Sequence, residues 1–168
     1  QPRSRGLGDV YKRQADTALD YLERSLKIRG ELGDKRGMGI SLNNIGNVHY
    51  NRAEYDKAAE PLEKSLNIQK EIGLKGVELL TSTYLYLTYT HLGKDYDEQH
   101  LHSLIKDAAN IEFEVNFRLY QLLEDTSYLE TAYNQVQDTA SAMDDDLGKK
   151  FLSYPIPKAI VEEWEQVK

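Results

Sequence analysis

Side chains that could bind a metal ion or carry out catalysis are few and poorly spaced in this chain. His100 and His102 come closest to a metal pair, but residues two apart on a helix point about 200° from each other. Residues 144–146 are three aspartates without the alternation or the following glutamate of a calcium loop, so we expect a turn and a helix start there. The chain has no cysteine, no glycine-rich phosphate loop and no nucleophile elbow. The sequence therefore predicts no metal site, no cofactor and no enzymatic activity.

The charge of the chain argues against nucleic acid and membranes as partners. The net charge is −7, and residues 111–168 carry five basic against twelve acidic side chains. Phosphate binding needs lysine and arginine to displace counterions, so this acidic segment disfavours it. A secretory signal and an apolar run of bilayer length are both missing, and the lack of cysteine fits a reducing compartment. We therefore expect a cytoplasmic protein.

Two segments that lie 40 residues apart are closely similar. Residues 22–33 read LERSLKIRGELG and residues 62–73 read LEKSLNIQKEIG, with Ser25 and Ser65 in register. A fixed period of this size is typical of stacked helical repeats, which present an extended binding surface instead of a catalytic pocket. We predict an all-α fold in which neighbouring repeats bury a set of apolar side chains. These are Leu22, Leu26, Ile28, Leu42, Ile45, Leu62, Leu66 and Ile68.

The clearest copy of the repeat resembles the tetratricopeptide repeat. The family shows Leu-Gly, Tyr, Tyr, Ala and Ala-Leu in order, and this copy matches with Ile45-Gly46, Tyr50, Tyr55, Ala58 and Ser65-Leu66. The resemblance implies a right-handed superhelical solenoid of antiparallel helix pairs. The 40-residue form is similar to the repeats of kinesin light chains, of Leu-Gly-Asn-repeat adaptors and of bacterial signalling proteins. In this pattern Gly46 and Ala58 let the two helices of a pair approach closely.

The chain divides into three segments on this pattern. Residues 15–108 are expected to hold the tetratricopeptide-like repeats, and residues 109–168 a degenerate repeat followed by C-terminal capping helices. Residues 1–14 break the register, because Gly8 precedes Ser25 by 17 residues whereas Gly46 precedes Ser65 by 19. Either the first repeat has lost two residues at its inter-helix turn, near Ala15, or residues 1–14 are a non-native leader that imitates a helix.

The third repeat departs from the pattern at its tight contact. Tyr86 stands where the second repeat has Gly46, so we expect a looser or rotated helix pair. Residues 81–90 alternate with period two and are rich in β-formers, which favours a strand on local grounds. The register of the repeats favours a helix, and we predict a helix there. Further helices are predicted at residues 113–123, 128–143 and 158–167.

The resemblance places the binding surface on the first helix of each repeat, which lines a concave groove in the family. The helical period puts eight side chains on the open side of these helices: Ile40, Asn43, Asn47, Tyr50, Asn51, Thr83, Leu87 and Thr90. Asn43 and Asn47 lie one turn apart, and their amides can both donate and accept, so they could grip a peptide backbone. The alternative is that these amides are solvated or pair with the next repeat.

Two functions are consistent with these features. The first is an adaptor that binds a partner protein or peptide in the concave groove. The second is a regulatory or self-associating segment of a larger bacterial signalling protein, of cyclase or histidine kinase type, whose output domain lies outside this sequence. Neither function requires a cofactor.

Overall fold

A computed structural model describes the backbone of residues 3–168 and the side chains of residues 13–168. This part of the chain contains helices and no strand, which confirms the all-α prediction. The helices are α1 (Arg3–Glu31), α2 (Lys35–Asn51), α3 (Tyr55–Glu71), α4 (Lys75–His91), α5 (Glu98–Asp107), α6 (Phe113–Leu123), α7 (Thr126–Ser141), α8 (Asp145–Leu152) and α9 (Pro155–Val167). They form two compact units, Gln1–Glu98 and Gln99–Lys168. The first unit ends inside the segment predicted to hold the repeats.

The first four helices follow one another at a constant step. They end at Glu31, Asn51, Glu71 and His91, 20 residues apart, so the 40-residue period of the sequence is one pair of helices. Two residues beyond each end the backbone has a positive φ, at Gly33, Ala53, Gly73 and Gly93. Glycine adopts this conformation without steric cost, and it commonly ends a helix. The short connections lay successive helices side by side, with α2 packed on both α1 and α3, and α3 on α4.

The first helix bears on one of the two alternatives for the first repeat. It has no inter-helix turn near Ala15, because α1 runs without interruption from Arg3 to Glu31. Residues 9–29 contain neither glycine nor proline, so nothing in this stretch ends a helix. Most of the expected leader lies outside the residues whose side chains are described.

The close approach of α2 and α3 depends on Gly46, as predicted. A Cβ atom placed on this glycine would lie 2.7 Å from Leu62 Cδ2 and 3.3 Å from the carbonyl oxygen of Ala58. Both Leu62 and Ala58 are fully buried. The leucine side chain therefore occupies the space that a larger residue at position 46 would need.

Helix α4 confirms that the register of the repeats outweighs local β-propensity. Its threonine hydroxyls donate back to main-chain carbonyls of the preceding turn: Thr83 to Leu80 at 2.8 Å, Thr88 to Tyr84 at 2.7 Å and Thr90 to Tyr86 at 3.0 Å. For the buried Thr83 and Thr88, these bonds satisfy hydroxyl groups that burial would otherwise leave unpaired. A helix rich in threonine is therefore compatible with a buried position.

The predicted core of the repeats is confirmed in α2 and, apart from Ile68, in α3, and is partly wrong in α1. Leu42, Ile45, Leu62 and Leu66 are buried. Leu22, Leu26 and Ile68 are only half-buried, and Ile28 is 56% exposed. The reason is that α1 packs mainly against α2, so a face of α1 remains open to solvent.

The second unit has a core of its own. Phe117, Leu129, Ala132, Val136 and Ile160 are buried together, and the Tyr133 and Trp164 rings stack beside them with centroids 5.5 Å apart. The predicted helices at 113–123, 128–143 and 158–167 correspond to α6, α7 and α9. Helix α8 starts at the three aspartates, where the Asp144 carboxylate accepts from the Leu147 amide at 2.9 Å. This is the expected role of an aspartate at a helix start.

Candidate peptide-binding surface

One stripe of α2 carries side chains that the packing of the repeats leaves accessible. Ile40 is 39% exposed, Asn44 and Asn51 are exposed, and Asn47 is half-buried. Positions 40, 44, 47 and 51 lie on one line along the helix. We call these four residues the asparagine face. Asn44 was missed by the sequence prediction, although its i+4 spacing from Ile40 places it on the same side.

Asn43 does not belong to this face. It is 8% exposed, and its Oδ1 accepts from Thr81 Oγ1 at 3.0 Å. The Gln69 amide donates to Thr81 Oγ1 at 2.8 Å and to Ser65 Oγ at 2.9 Å, and Ser65 Oγ donates to the Gly39 carbonyl at 2.7 Å. This buried chain of hydrogen bonds links α2, α3 and α4. The predicted exposure of Asn43 on the open side of α2 is therefore wrong, and the alternative holds, in which its amide pairs with the next repeat.

The third repeat offers less accessible surface than the sequence indicated. Thr83 is fully buried and Leu87 is 4% exposed, whereas Thr90 is exposed. The expected exposure of Thr83 and Leu87 is wrong because α4 is not a surface helix, and every residue from 81 to 88 is buried. Of the three side chains predicted on this helix, only Thr90 remains available for contact.

Tyr50, which was predicted to lie on the open side of α2, is instead buried in an aromatic cluster at one end of the asparagine face. Its ring centroid lies 5.6 Å from that of Tyr55, 5.2 Å from that of Tyr84 and 6.0 Å from that of His91. Tyr55 and His91 stack with centroids 4.0 Å apart. The cluster joins the end of α2, the start of α3 and the end of α4, so it fixes the backbone that carries Asn51.

The turn between α2 and α3 is held by charged hydrogen bonds. His49 Nδ1 lies 2.7 Å from Glu54 Oε2, and Arg52 Nη1 lies 2.8 Å from Asp16 Oδ1 of α1. The hydrogen bond from His49 is the main cause that lowers the pKa of Glu54 from its usual 4.5, with the nearby positive charge of Arg52 adding to the effect. These contacts position the turn that follows the asparagine face.

The described residues contain no cluster that matches a metal site. Among them, no group of three or more histidines or acidic residues is placed to hold an ion. His100 is half-buried and His102 is exposed, two residues apart on α5. The same part of the chain contains no helix with the length and apolar character needed to cross a bilayer.

Residues 3–71 match the family model described as tetratricopeptide repeat. The match spans α1, α2 and α3. Comparison with curated proteins and with solved structures gives no match. Tetratricopeptide repeats generally mediate protein–protein interaction, and their fold is typically non-catalytic.

Proposed function

We propose that this chain, whose residues 3–71 belong to the tetratricopeptide repeat family, is an interaction module that holds a partner peptide or helix along the asparagine face of α2. The observation that carries the proposal is the accessible row of Ile40, Asn44, Asn47 and Asn51. Asparagine is disfavoured inside helices because its side chain competes for backbone hydrogen bonds. Asn44 and Asn47, which lie inside α2, are therefore better explained by recognition than by helix stability.

The spacing of the amides suits the main chain of a peptide. A helix rises about 1.5 Å per residue, so the Cα atoms of Asn44 and Asn51 are about 10 Å apart, close to three residues of an extended chain. Each amide can donate to a peptide carbonyl and accept from a peptide N–H. Ile40 adds an apolar contact at one end of the row, where hydrophobic burial would supply affinity.

Asn47 gives the proposal a second support. Its Oδ1 is shielded from solvent and meets no hydrogen-bond donor among the described residues. A buried acceptor without a donor is unfavourable by about 1–3 kcal/mol. A small rotation of the amide towards a donor on a bound peptide would remove this cost.

The test is to identify a partner and then measure its affinity for variants of the asparagine face. Proteins captured from a lysate by the immobilised chain would be identified by mass spectrometry, and the dissociation constant of a purified partner measured by calorimetry. We expect Asn44→Ala combined with Asn47→Ala to weaken binding at least about tenfold, since each lost hydrogen bond contributes about 1 kcal/mol. Asn134→Ala, an exposed asparagine on α7, is the matched control and should bind normally. Equal affinity of the double variant and the wild type would refute the proposal.

Self-association is a second candidate because α1 has an accessible apolar stripe. Tyr21 is 66% exposed and Ile28 56%, and their spacing of seven residues places them on one side of α1. Leu32, which is 77% exposed, follows directly after the last residue of the helix. Exposed apolar stripes of this kind are common at interfaces between proteins. In this alternative the chain is the self-associating regulatory segment of a larger signalling protein.

Sedimentation equilibrium separates the two candidates. A self-associating chain should give a dimer that dissociates when Ile28→Glu places a charge on the stripe. A chain that stays monomeric at all concentrations would exclude self-association and leave the adaptor as the sole proposal. Glu23→Gln, another exposed position of α1, is the control that keeps the stripe intact.

A further inference from the structure

A second surface of the first unit has a different chemistry from the asparagine face. A cleft of about 480 Å³ lies between α3, α4 and the connecting residues 92–97. Three tyrosines and three carboxylates line it: Tyr86, Tyr89, Tyr96, Glu63, Asp95 and Asp97. None of the residues that line the cleft is basic.

The cleft exists because the third repeat departs from the second at two places. Tyr86 lies 40 residues after Gly46, so a large ring stands where the second repeat has no side chain. The connection that follows is also longer, with six residues between α4 and α5 against three between α2 and α3. This longer segment places Tyr96 against Tyr86, with ring centroids 5.0 Å apart and planes 22° from parallel. The two rings form one wall of the cleft.

The remaining tyrosine joins the aromatic wall to a carboxylate. Tyr89 Oη donates to Glu63 Oε1 at 2.7 Å, and the Tyr86 and Tyr89 centroids are 6.5 Å apart. The Glu63 carboxylate has a second oxygen with which it can accept from a ligand. Burial is the main cause that raises the pKa values of Tyr86 and Tyr89 to about 12, so both rings stay neutral at physiological pH. Neutral tyrosine faces attract cations without adding charge of their own.

A cation of the chain itself already lies over the third tyrosine of the cleft, Tyr89. Lys94 Nζ is 5.5 Å from the centroid of the Tyr89 ring, within the range of a cation–π contact. The ammonium group belongs to the same connection that supplies Asp95 and Asp97. The arrangement shows that a positive group can approach the aromatic side of the cleft.

We propose that this cleft, the tyrosine cleft, binds the guanidinium group of an arginine on the partner peptide. Ring faces and carboxylates together complement a planar cation, since a guanidinium can stack on a ring while it donates two N–H groups to one carboxylate. Lysine has a compact ammonium and cannot make both contacts in this way. The inference rests on the proposed function, because the arginine is taken to belong to a protein partner.

Nuclear magnetic resonance of the full chain, labelled with ¹⁵N, tests the tyrosine cleft without a known partner. The probe is arginine with both termini capped, compared with capped citrulline, which has nearly the same shape and no charge, and with capped lysine. We expect saturable amide shifts around Glu63, Tyr89 and Tyr96 with arginine, weaker shifts with lysine and none with citrulline. Glu63→Gln should weaken arginine binding roughly fivefold, as expected for loss of a charge-assisted hydrogen bond. Glu60→Gln makes the same charge change on α3 outside the cleft and should bind like the wild type.

Several outcomes would overturn the inference. Equal shifts with citrulline would show that charge plays no part, and equal affinity for lysine would refute the selection of a guanidinium. An unchanged affinity in both Glu63→Gln and the exposed variant Asp95→Asn would place the binding elsewhere, with circular dichroism confirming that each variant is folded. Asn44→Ala with Asn47→Ala should leave the arginine titration unchanged. If a partner binds through the asparagine face but capped arginine causes no shifts, the arginine site in the tyrosine cleft is refuted and the interaction module is not. If capped arginine binds but no partner binds through the asparagine face, the interaction module is refuted and the arginine site is not.

Discussion

Tyr86 occupies in the third repeat the sequence position that Gly46 occupies in the second, and the two residues have opposite effects on the surrounding packing. At Gly46 the missing side chain is replaced by Leu62 from the next helix, which closes the contact. At Tyr86 the ring fills its own space and stacks on Tyr96, which lies in a connecting segment. The same position in the repeat therefore gives a closed helix pair in the second repeat and an open cleft in the third.

We predict that Gly46→Ala destabilises the protein by about 1–3 kcal/mol, because the added methyl group would overlap Leu62 in a packed core. The measurement is the free energy of unfolding in urea. In a Leu62→Ala background the cost of Gly46→Ala should be smaller than in the wild type, since the truncated side chain vacates the space in question. Gly76→Ala is the control, because its Cβ would meet no atom within 4 Å. A Gly46→Ala protein as stable as the wild type would contradict the close contact.

Ala53 should be replaceable by glycine with a gain in stability. Ala53 has a φ of 56°, in the left-handed region, whereas Gly33 and Gly73 take the same place after α1 and α3. Relief of this conformation should stabilise Ala53→Gly by up to about 1 kcal/mol, reduced by the greater freedom of glycine in the unfolded chain. Gly73→Ala should lose a similar amount. Thermal unfolding of both variants checks the pair, and a loss of stability in Ala53→Gly would contradict the prediction.

The buried hydrogen-bond chain predicts a large effect from a small change at Thr81. Valine has nearly the shape of threonine, but Thr81→Val would leave Asn43 Oδ1 without its donor and the Gln69 amide without one of its acceptors. We expect a loss of about 1–3 kcal/mol, the range for buried polar groups left unpaired. Thr17→Val, at an exposed threonine of α1, should change the free energy of unfolding by less than about 0.5 kcal/mol. Equal effects at the two positions would argue against a structural role for the buried chain.

Acid should weaken the turn between α2 and α3. The pKa of Glu54 is lower in the folded protein than its usual 4.5, mainly because of the hydrogen bond with His49. A lowered folded pKa contributes stability above the unfolded value, and this stability is lost as the pH falls below 4.5 through the folded value. As the pH falls below 5, the free energy of unfolding should therefore decrease less in Glu54→Gln than in the wild type. Urea unfolding at each pH measures this difference. Identical pH profiles for the variant and the wild type would contradict this role, and Glu23→Gln serves as the control.

The sequence was sufficient to predict the helix pairs because their period is explicit. The 40-residue spacing of Ser25 and Ser65 predicted two helices per repeat, and the glycine at position 46 predicted the tight contact. The helix at residues 81–90 was predicted against its local composition. The structure gives the physical reason, since back-bonded threonine hydroxyls make burial in a helix acceptable.

The candidate site was harder to predict because exposure depends on neighbouring helices. Asn43 and Asn47 have the same side chain and lie one turn apart, yet Asn43 bonds Thr81 and Asn47 borders the accessible face. No local feature of α2 distinguishes them, since the position of α4 decides which amide is covered. The tyrosine cleft depends likewise on the six-residue connection after α4, whose path the repeat pattern does not specify.

The constant 20-residue step of the first four helices restricts how a gene for this chain could change in length. A duplication or deletion of 40 residues keeps each helix in phase and returns every left-handed residue to the end of a helix. A change of 20 residues would add or remove one helix, so that the first and second helices of the pairs would exchange places. Gly46 would then no longer face Leu62. Whole helix pairs are therefore the units by which the first unit could lengthen or shorten without loss of its packing.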